Sequence, residues 1–350
     1  MSEKIENVAH LAQRLKELGE PKKGYTRFFR GHSDERYELV PSIYRKDDKA
    51  SDPNYLINNE DKIIKDAFTY CSDYFLPHET LFEKLVKLQH YDYKTRLLDI
   101  SSNSLVGLYF AVGKSDKQEV ANENEDGEVV VLDIPNEYIK YDDSDVVSIL
   151  SAVSLRNKSF NITSYIEQGD LLSALEITPY IIEERENYEE MKDSDFIKIF
   201  NKELKEYGAS FDEGLKLSIM QKRREAFRKI FNDLPEIARL LHDIRKDKPS
   251  FNPIIEANDF NRVVCVKAKQ NNPRIAKQQG AFLLFGIDGQ KIKQAEVEPS
   301  WIVLKDHRLI IDKDSKENIL NELKSFGISH QSLFPELDSQ AQDIMNKYKS

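Results

Sequence analysis

Between Leu88 and Val112 a run of polar, chemistry-bearing residues leads straight into an apolar helix, and that junction limits what the chain can become. Its first part places His90, Thr95, Arg96, Asp99, Ser101 and Ser102 around the apolar pair Leu97-Leu98. Its second part, Leu105 to Val112, is almost wholly apolar, so a helix formed there has to be buried. A polar cluster joined to a buried helix gives reactive groups a rigid mount, which predicts a functional segment. A surface loop followed by a core helix is the blander reading of the same residues.

The rest of the chain bounds the setting. Its 350 residues allow one large domain, or a core domain with a sizeable insertion. With 40% hydrophobic and 32% charged residues it has the composition of a soluble globular protein. No apolar run is long enough to span a bilayer, and the polar start MSEKIENVAH lacks an apolar signal core. Two cysteines, Cys71 and Cys265, fit a reducing compartment, so a cytoplasmic location is expected. Seven scattered histidines with no HExxH or CxxC spacing predict no metal site. P-loop, dinucleotide-fold and nucleophile-elbow motifs are absent. A net charge of -10 disfavours non-specific grip on nucleic acid. The basic run 221–229 is the local exception, and it also reads as a solvated helix face.

Periodicity predicts a helix over 5–18, a buried strand from Tyr25 to Arg30 and a short extended piece at Tyr37–Val40. Helices follow over 55–76 and from Leu81, the second delivering Gln89 and His90 to its end. Gly127 to Ile134 is a strand bounded by Gly and Pro. Strand character returns at 262–268, 281–285, 301–304 and 309–311, with helices at 315–326, capped by Asp314 and Glu317, and from Pro335. Strands thus lie on both sides of a helical, charge-rich stretch, which is α+β order. The expected division is a core part over 1–134, a helical insertion or variable subdomain over 135–260, and a second core part over 261–350.

Four blocks in order carry a family resemblance. They are Phe29-Arg30-Gly31-His32 with Leu39 to Arg45 behind it, the central stretch from Leu88, Arg274-Ile-Ala-Lys-Gln-Gln-Gly-Ala-Phe282, and Leu333-Phe-Pro-Glu-Leu-Asp338. Together they resemble the FRG domain, named for the Phe-Arg-Gly motif. The chain departs from that pattern at Ile100, where Trp is usual, and at 101–104. The order of blocks is distantly similar to ADP-ribosyltransferases. That similarity implies a mixed or antiparallel sheet core, with Arg30 and Gly31 at a dinucleotide and Thr95, Ser101 and Ser102 as supporting hydroxyls. Arg274 would join the cofactor-binding set. Gln279, or Gln278, falls where those enzymes carry a catalytic Glu, which leaves Asp99 as the carboxylate, with His90 and Arg96 beside it.

The function so implied is an NAD-binding, ADP-ribosyltransferase-like effector acting on a protein or nucleic acid in a toxin or anti-phage setting. An antitoxin or regulatory partner and no membrane go with that reading. Two alternatives stay open: a non-catalytic nucleotide- or protein-binding module, and a nuclease-like effector using His90, Arg96 and Asp99.

Overall fold

The computed structural model describes residues 4–113, 124–183, 213–270, 272–304 and 308–348. Helix α1 (Val8–Leu18) starts where the Asn7 side chain accepts from the His10 backbone and stops at Gly19, which has a φ of +73°. Strand β1 (Tyr25–His32) follows. The single helix expected over 55–76 is divided into α2 (Tyr55–Asn58) and α3 (Glu60–Tyr70). Asn59 causes the break: its side-chain amide donates to the Tyr55 carbonyl at 2.8 Å and competes with the helical bonding. Helix α4 (Leu81–His90) opens with a Thr80–Glu83 capping box.

Leu97–Ser101 is strand β2, inside the sheet, and this corrects the loop reading of that segment. It runs directly into α5 (Ser104–Val112). Strands β3 (Gly127–Pro135) and β4 (Ile139–Tyr141) precede helices α6 (Asp145–Val153), α7 (Ile162–Glu183), α8 (Glu213–Asp233) and α9 (Pro235–Asp247). The chain then forms β5 (Val263–Lys267), α10 (Pro273–Lys277), β6 (Gly280–Phe285) and β7 (Leu309–Ile311). Helices α11 (Lys316–Ser325), α12 (His330–Leu333) and α13 (Leu337–Lys347) complete it. Among the described residues no helix is long and apolar enough to cross a membrane.

The architecture is α+β around one mixed sheet of order β4-β5-β6-β2-β1-β3-β7. Every neighbouring pair is antiparallel except β4 with β5. The sheet curls around a single apolar interior, where Phe28, Leu98, Ile100, Leu132, Cys265, Leu283 and Trp301 meet. Its outer face is covered in two parts. Helices α1, α5 and α11 pack on β1, β3 and β7, while α3, α4 and α6 pack on β2, β5 and β6. Between these halves β1 and β2 are in register at Phe29 and Ser101 alone, and beyond that pair the two strands part.

Glycine fixes how closely α5 rests on the sheet. A Cβ at Gly31 would lie 2.1 Å from the Gly107 carbonyl oxygen, and one at Gly127 would lie 2.4 Å from that of Ala111. Strand and helix backbones therefore touch, as only glycine permits.

Other expectations change in detail. Tyr37–Val40 forms no strand. At 301–304 a 3₁₀ turn (Pro299–Trp301) swings the lone Trp301 into the curled interior, and one bridge, Ile302 with Leu132, remains of the expected strand. No side chain caps α11, so the Asp314–Glu317 box is absent. The stretch 135–260 is joined to the sheet: it supplies edge strand β4, and its α6 packs against both α4 and β6.

Candidate functional site

Where β1 and β2 part, a cleft opens. Its walls come from β1, the end of α4, β2, the first turns of α5, and the α10–β6 segment. The register explains its chemistry. Past Phe29 and Ser101, the Asp99 carbonyl loses a partner on β1, and the Arg30 guanidinium supplies one, donating from Nη1 at 2.9 Å. The same nitrogen stands 3.8 Å from Asp99 Oδ2, and Arg30 Nε is buried with no hydrogen-bond partner. Burial lowers the Arg30 pKa, against the pull of Asp99, and nearby Arg45 adds to the lowering. Arg30 thus projects positive charge with donors still unspent.

Asp99 sits half exposed in this cleft, because its place on β2 turns it to the outer face that carries Leu97. Gln89, at the end of α4, holds it. Gln89 Nε2 donates to Asp99 Oδ2 at 2.7 Å, while Gln89 Oε1 accepts from Thr95 Oγ1 at 2.5 Å. The Leu97 backbone N–H donates to that same Thr95 oxygen at 3.2 Å. One continuous relay therefore fixes the amide and the carboxylate together. Arg45 and Lys94 line the cleft as well, and burial lowers the Arg45 pKa.

The far wall belongs to α10. Asn272 caps this helix, and Arg274 lies in it with its guanidinium 4.4 Å from the centre of the Phe334 ring. Ser101 Oγ donates to the Gln278 carbonyl at 2.7 Å and accepts from the Asn103 backbone at 3.0 Å, so its hydroxyl is fully engaged. His90 lines the cleft with Nε2 3.4 Å from Glu336 Oε1.

Of the residues singled out from sequence, the structure brings Arg30, Gly31, His90, Asp99, Ser101 and Arg274 to this one cleft. Gly31 lines it as bare backbone beneath α5. Thr95 is fully buried one bond behind Gln89.

Three placements differ from the expectation. Arg96 lies off the cleft, fully buried, in a bidentate pair with Glu60 whose Nε–Oε1 arm is 3.0 Å. Lys291 Nζ joins the same carboxylate at 3.2 Å, and Arg96 Nη1 donates to the Phe285 carbonyl at 3.2 Å. The two cations hold the Glu60 pKa below its usual range against the opposing effect of burial. Arg96 is a strut of the core and does not pair with Asp99. Gln279 is exposed, with a φ of +47°, and is not part of the cleft lining, whereas Gln278 is. Ser102 is an exposed turn residue whose N–H donates to the Gln279 carbonyl at 3.1 Å. β2 places Ser101 on the face that lines the cleft and Ser102 past its end, and Gln279 sits in the tight turn before β6.

Gln89, Arg45 and Glu336 were not singled out. Each stands inside one of the four sequence blocks, which was the available signal. The basic run 221–229 lies on α8 and is drawn into ion pairs. Arg224 and Arg228 both reach Glu256, at 3.2 and 2.9 Å, and Arg223 reaches Asp170 at 3.9 Å. Among the described residues no group of three or more His, Cys, Asp or Glu is placed to hold a metal.

The FRG domain family model matches residues 26–120, the segment that contributes Arg30, Arg45, Gln89, His90 and Asp99. Residues 26–120 carry an FRG domain. No curated protein and no solved structure matches the chain. The matched FRG segment supplies one side of the cleft and all of α5. Arg274 and Gln278, from beyond the match, supply the other side.

Proposed function

We propose that the cleft binds NAD through its pyrophosphate, and that the chain is an ADP-ribosyltransferase-like effector acting on a macromolecule in a toxin or anti-phage setting. One observation carries the reading. Arg30, Arg45 and Arg274, from β1, the segment after it and α10, line one cleft together with the half-exposed carboxylate of Asp99. Planar guanidinium groups suit phosphate oxygens because they donate in pairs. The donor set fits: Arg30 Nε is buried without a partner, and no carboxylate takes up Arg274 among the described residues.

When bound, NAD supplies a glycosidic bond to a cationic leaving group. Asp99, oriented by Gln89, would place negative charge where positive charge develops. Arg30 would hold the phosphates while its bond to the Asp99 carbonyl keeps that distance fixed. The catalytic role assigned to Gln279 does not fit an exposed side chain off the cleft, so Asp99 carries that role in this reading.

A non-catalytic nucleotide-binding module is the second reading, favoured by the hydrogen bond that already engages Asp99 Oδ2. The nuclease-like reading loses its arginine, since Arg96 is buried against Glu60.

The test is calorimetry with NAD, followed by incubation with adenylate-labelled NAD and cell extract. Binding, nicotinamide release and covalent label on protein or nucleic acid are expected. Binding without nicotinamide release would select the module reading, and a protein that neither binds NAD nor releases nicotinamide would end the proposal.

A further inference from the structure

The Leu333–Glu336 block touches three separate residues of the cleft. Phe334 lies under the Arg274 guanidinium at 4.4 Å. The Leu333 carbonyl accepts from Gln278 Nε2 at 3.1 Å, and Glu336 Oε1 stands 3.4 Å from His90 Nε2. Three residues of this four-residue block thus engage α10, its C-terminal cap and the end of α4, which flank the cleft opposite β1.

The block is itself anchored. Leu333 is buried with the α5 cluster, and the Phe334 carbonyl accepts from Gln340 Nε2 at 2.8 Å. The His330 ring stacks on the outer side of this arrangement, 4.6 Å from Phe334.

The kind of contact matters more than its presence. A carboxylate beside Arg274 would fix the guanidinium but cancel the charge an anion needs. An aromatic face fixes it through the ring quadrupole and leaves the in-plane N–H donors free. Arg30 differs: a neutral carbonyl accepts its hydrogen bond, but Asp99 Oδ2 also stands within ion-pair distance at 3.8 Å. Arg274 is the arginine here that a neutral aromatic face positions.

We infer that the 333–336 block backs the α10 wall of the site, with Phe334 the positioning residue that presents Arg274, charged and with donors free, to a phosphate-bearing ligand. This deepens the nucleotide reading and rests on its claim that the cleft takes phosphate. It does not rest on NAD being the ligand.

Inorganic pyrophosphate is therefore the probe. Calorimetry would compare the wild-type chain with Phe334→Tyr, Phe334→Leu, Arg274→Ala and the Phe334→Leu/Arg274→Ala double variant, with NAD titrated in parallel and thermal midpoints recorded. Phe334→Leu should weaken pyrophosphate about tenfold. Phe334→Tyr, which keeps the ring, should bind as wild type. The double variant should bind no more weakly than Arg274→Ala, because Phe334 acts through that side chain.

Wild-type affinity in Phe334→Leu, or losses that add in the double variant, would overturn the inference while leaving the nucleotide reading in place. Should Phe334→Leu fail to fold, loss of binding in a folded Phe334→Tyr would overturn it equally, since the ring is then present without its effect. Pyrophosphate binding without NAD binding would sink the NAD reading and keep this one. A wild-type chain that binds neither would remove both.

Discussion

Gly31 shows how little room one residue of the cleft leaves for change. A methyl group there meets the Gly107 carbonyl oxygen at 2.1 Å, which is backbone on a buried helix and has nowhere to go. Gly31→Ala should cost about 3 kcal/mol or more, read from urea denaturation, and a variant within about 0.5 kcal/mol of wild type would show that α5 can lift off β1. Asp99 invites the opposite kind of test. Its carboxylate is half exposed and accepts from Gln89, and an amide of the same shape keeps an oxygen for that bond. Asp99→Asn should therefore hold NAD affinity within about twofold while nicotinamide release falls at least about a hundredfold. Affinity and melting temperature falling together would make Asp99 a structural residue. Sequence pointed to Gly31 and Asp99 through the motifs that contain them, but it could not separate Ser101 from Ser102 or Gln278 from Gln279. Which member of each pair lines the cleft goes with the end of a strand and a residue at a φ of +47°, neither of which leaves a mark in residue type.

Strand β2 was the element least legible in the sequence. It has five residues, and Leu97, Leu98, Ile100 and Ser101 are all buried, so no polar alternation announces it. Flanking charges then made it look like a loop. Those charges have different fates: Asp99 lines the cleft, whereas Arg96 enters a buried network with Glu60 and Lys291. This network ties α3, β2 and the turn after β6 together, and its composition predicts an order of effects. Two cations share one carboxylate, so Arg96→Met leaves a neutral Glu60–Lys291 pair. Glu60→Gln leaves two fully buried cations facing a neutral amide. Glu60→Gln should lose about 3–5 kcal/mol and Arg96→Met clearly less, measured by urea denaturation at neutral pH. The reverse order would mean that the guanidinium's bond to the Phe285 carbonyl matters more than charge balance.

At the scale of the whole molecule, the α+β order and most sheet strands could be read from hydrophobic pattern, because each strand face packs against a continuous core. The curl of the sheet and the parting of β1 from β2 could not, since they depend on strand order and on α5 pressing against Gly31 and Gly127. One consequence of that closure reaches the stability of the entire chain. His32 follows Arg30 on the same face of β1 and is 2% exposed, with neither ring nitrogen hydrogen-bonded. Burial first, then the positive charges of Arg30, Arg45 and Arg308, push its pKa down from 6.5 to about 3, against the weaker pull of Asp34. The sign follows from proton counting. Above pH 6.5 the ring is neutral whether the chain is folded or not, and it adds no pH dependence. Below 6.5 the unfolded chain takes up a proton that the folded chain refuses, so stability falls by about 1.4 kcal/mol per pH unit until the folded group titrates near 3. Glu60, whose folded pKa is also lowered, acts in a separate window. Its contribution is complete above the ordinary carboxylate range and is lost only as pH falls through and below it. Between pH 6.5 and 5 His32 therefore contributes a slope that Glu60 does not. Urea denaturation of wild type and His32→Phe at pH 7.5, 6.5, 5.75 and 5 isolates it. The wild-type chain should lose about 2 kcal/mol from pH 6.5 to 5 beyond whatever His32→Phe loses. Parallel curves for the two proteins would mean that His32 takes up its proton in the folded state, and that the charged rim around Arg30 and Arg45 is open to water at this residue.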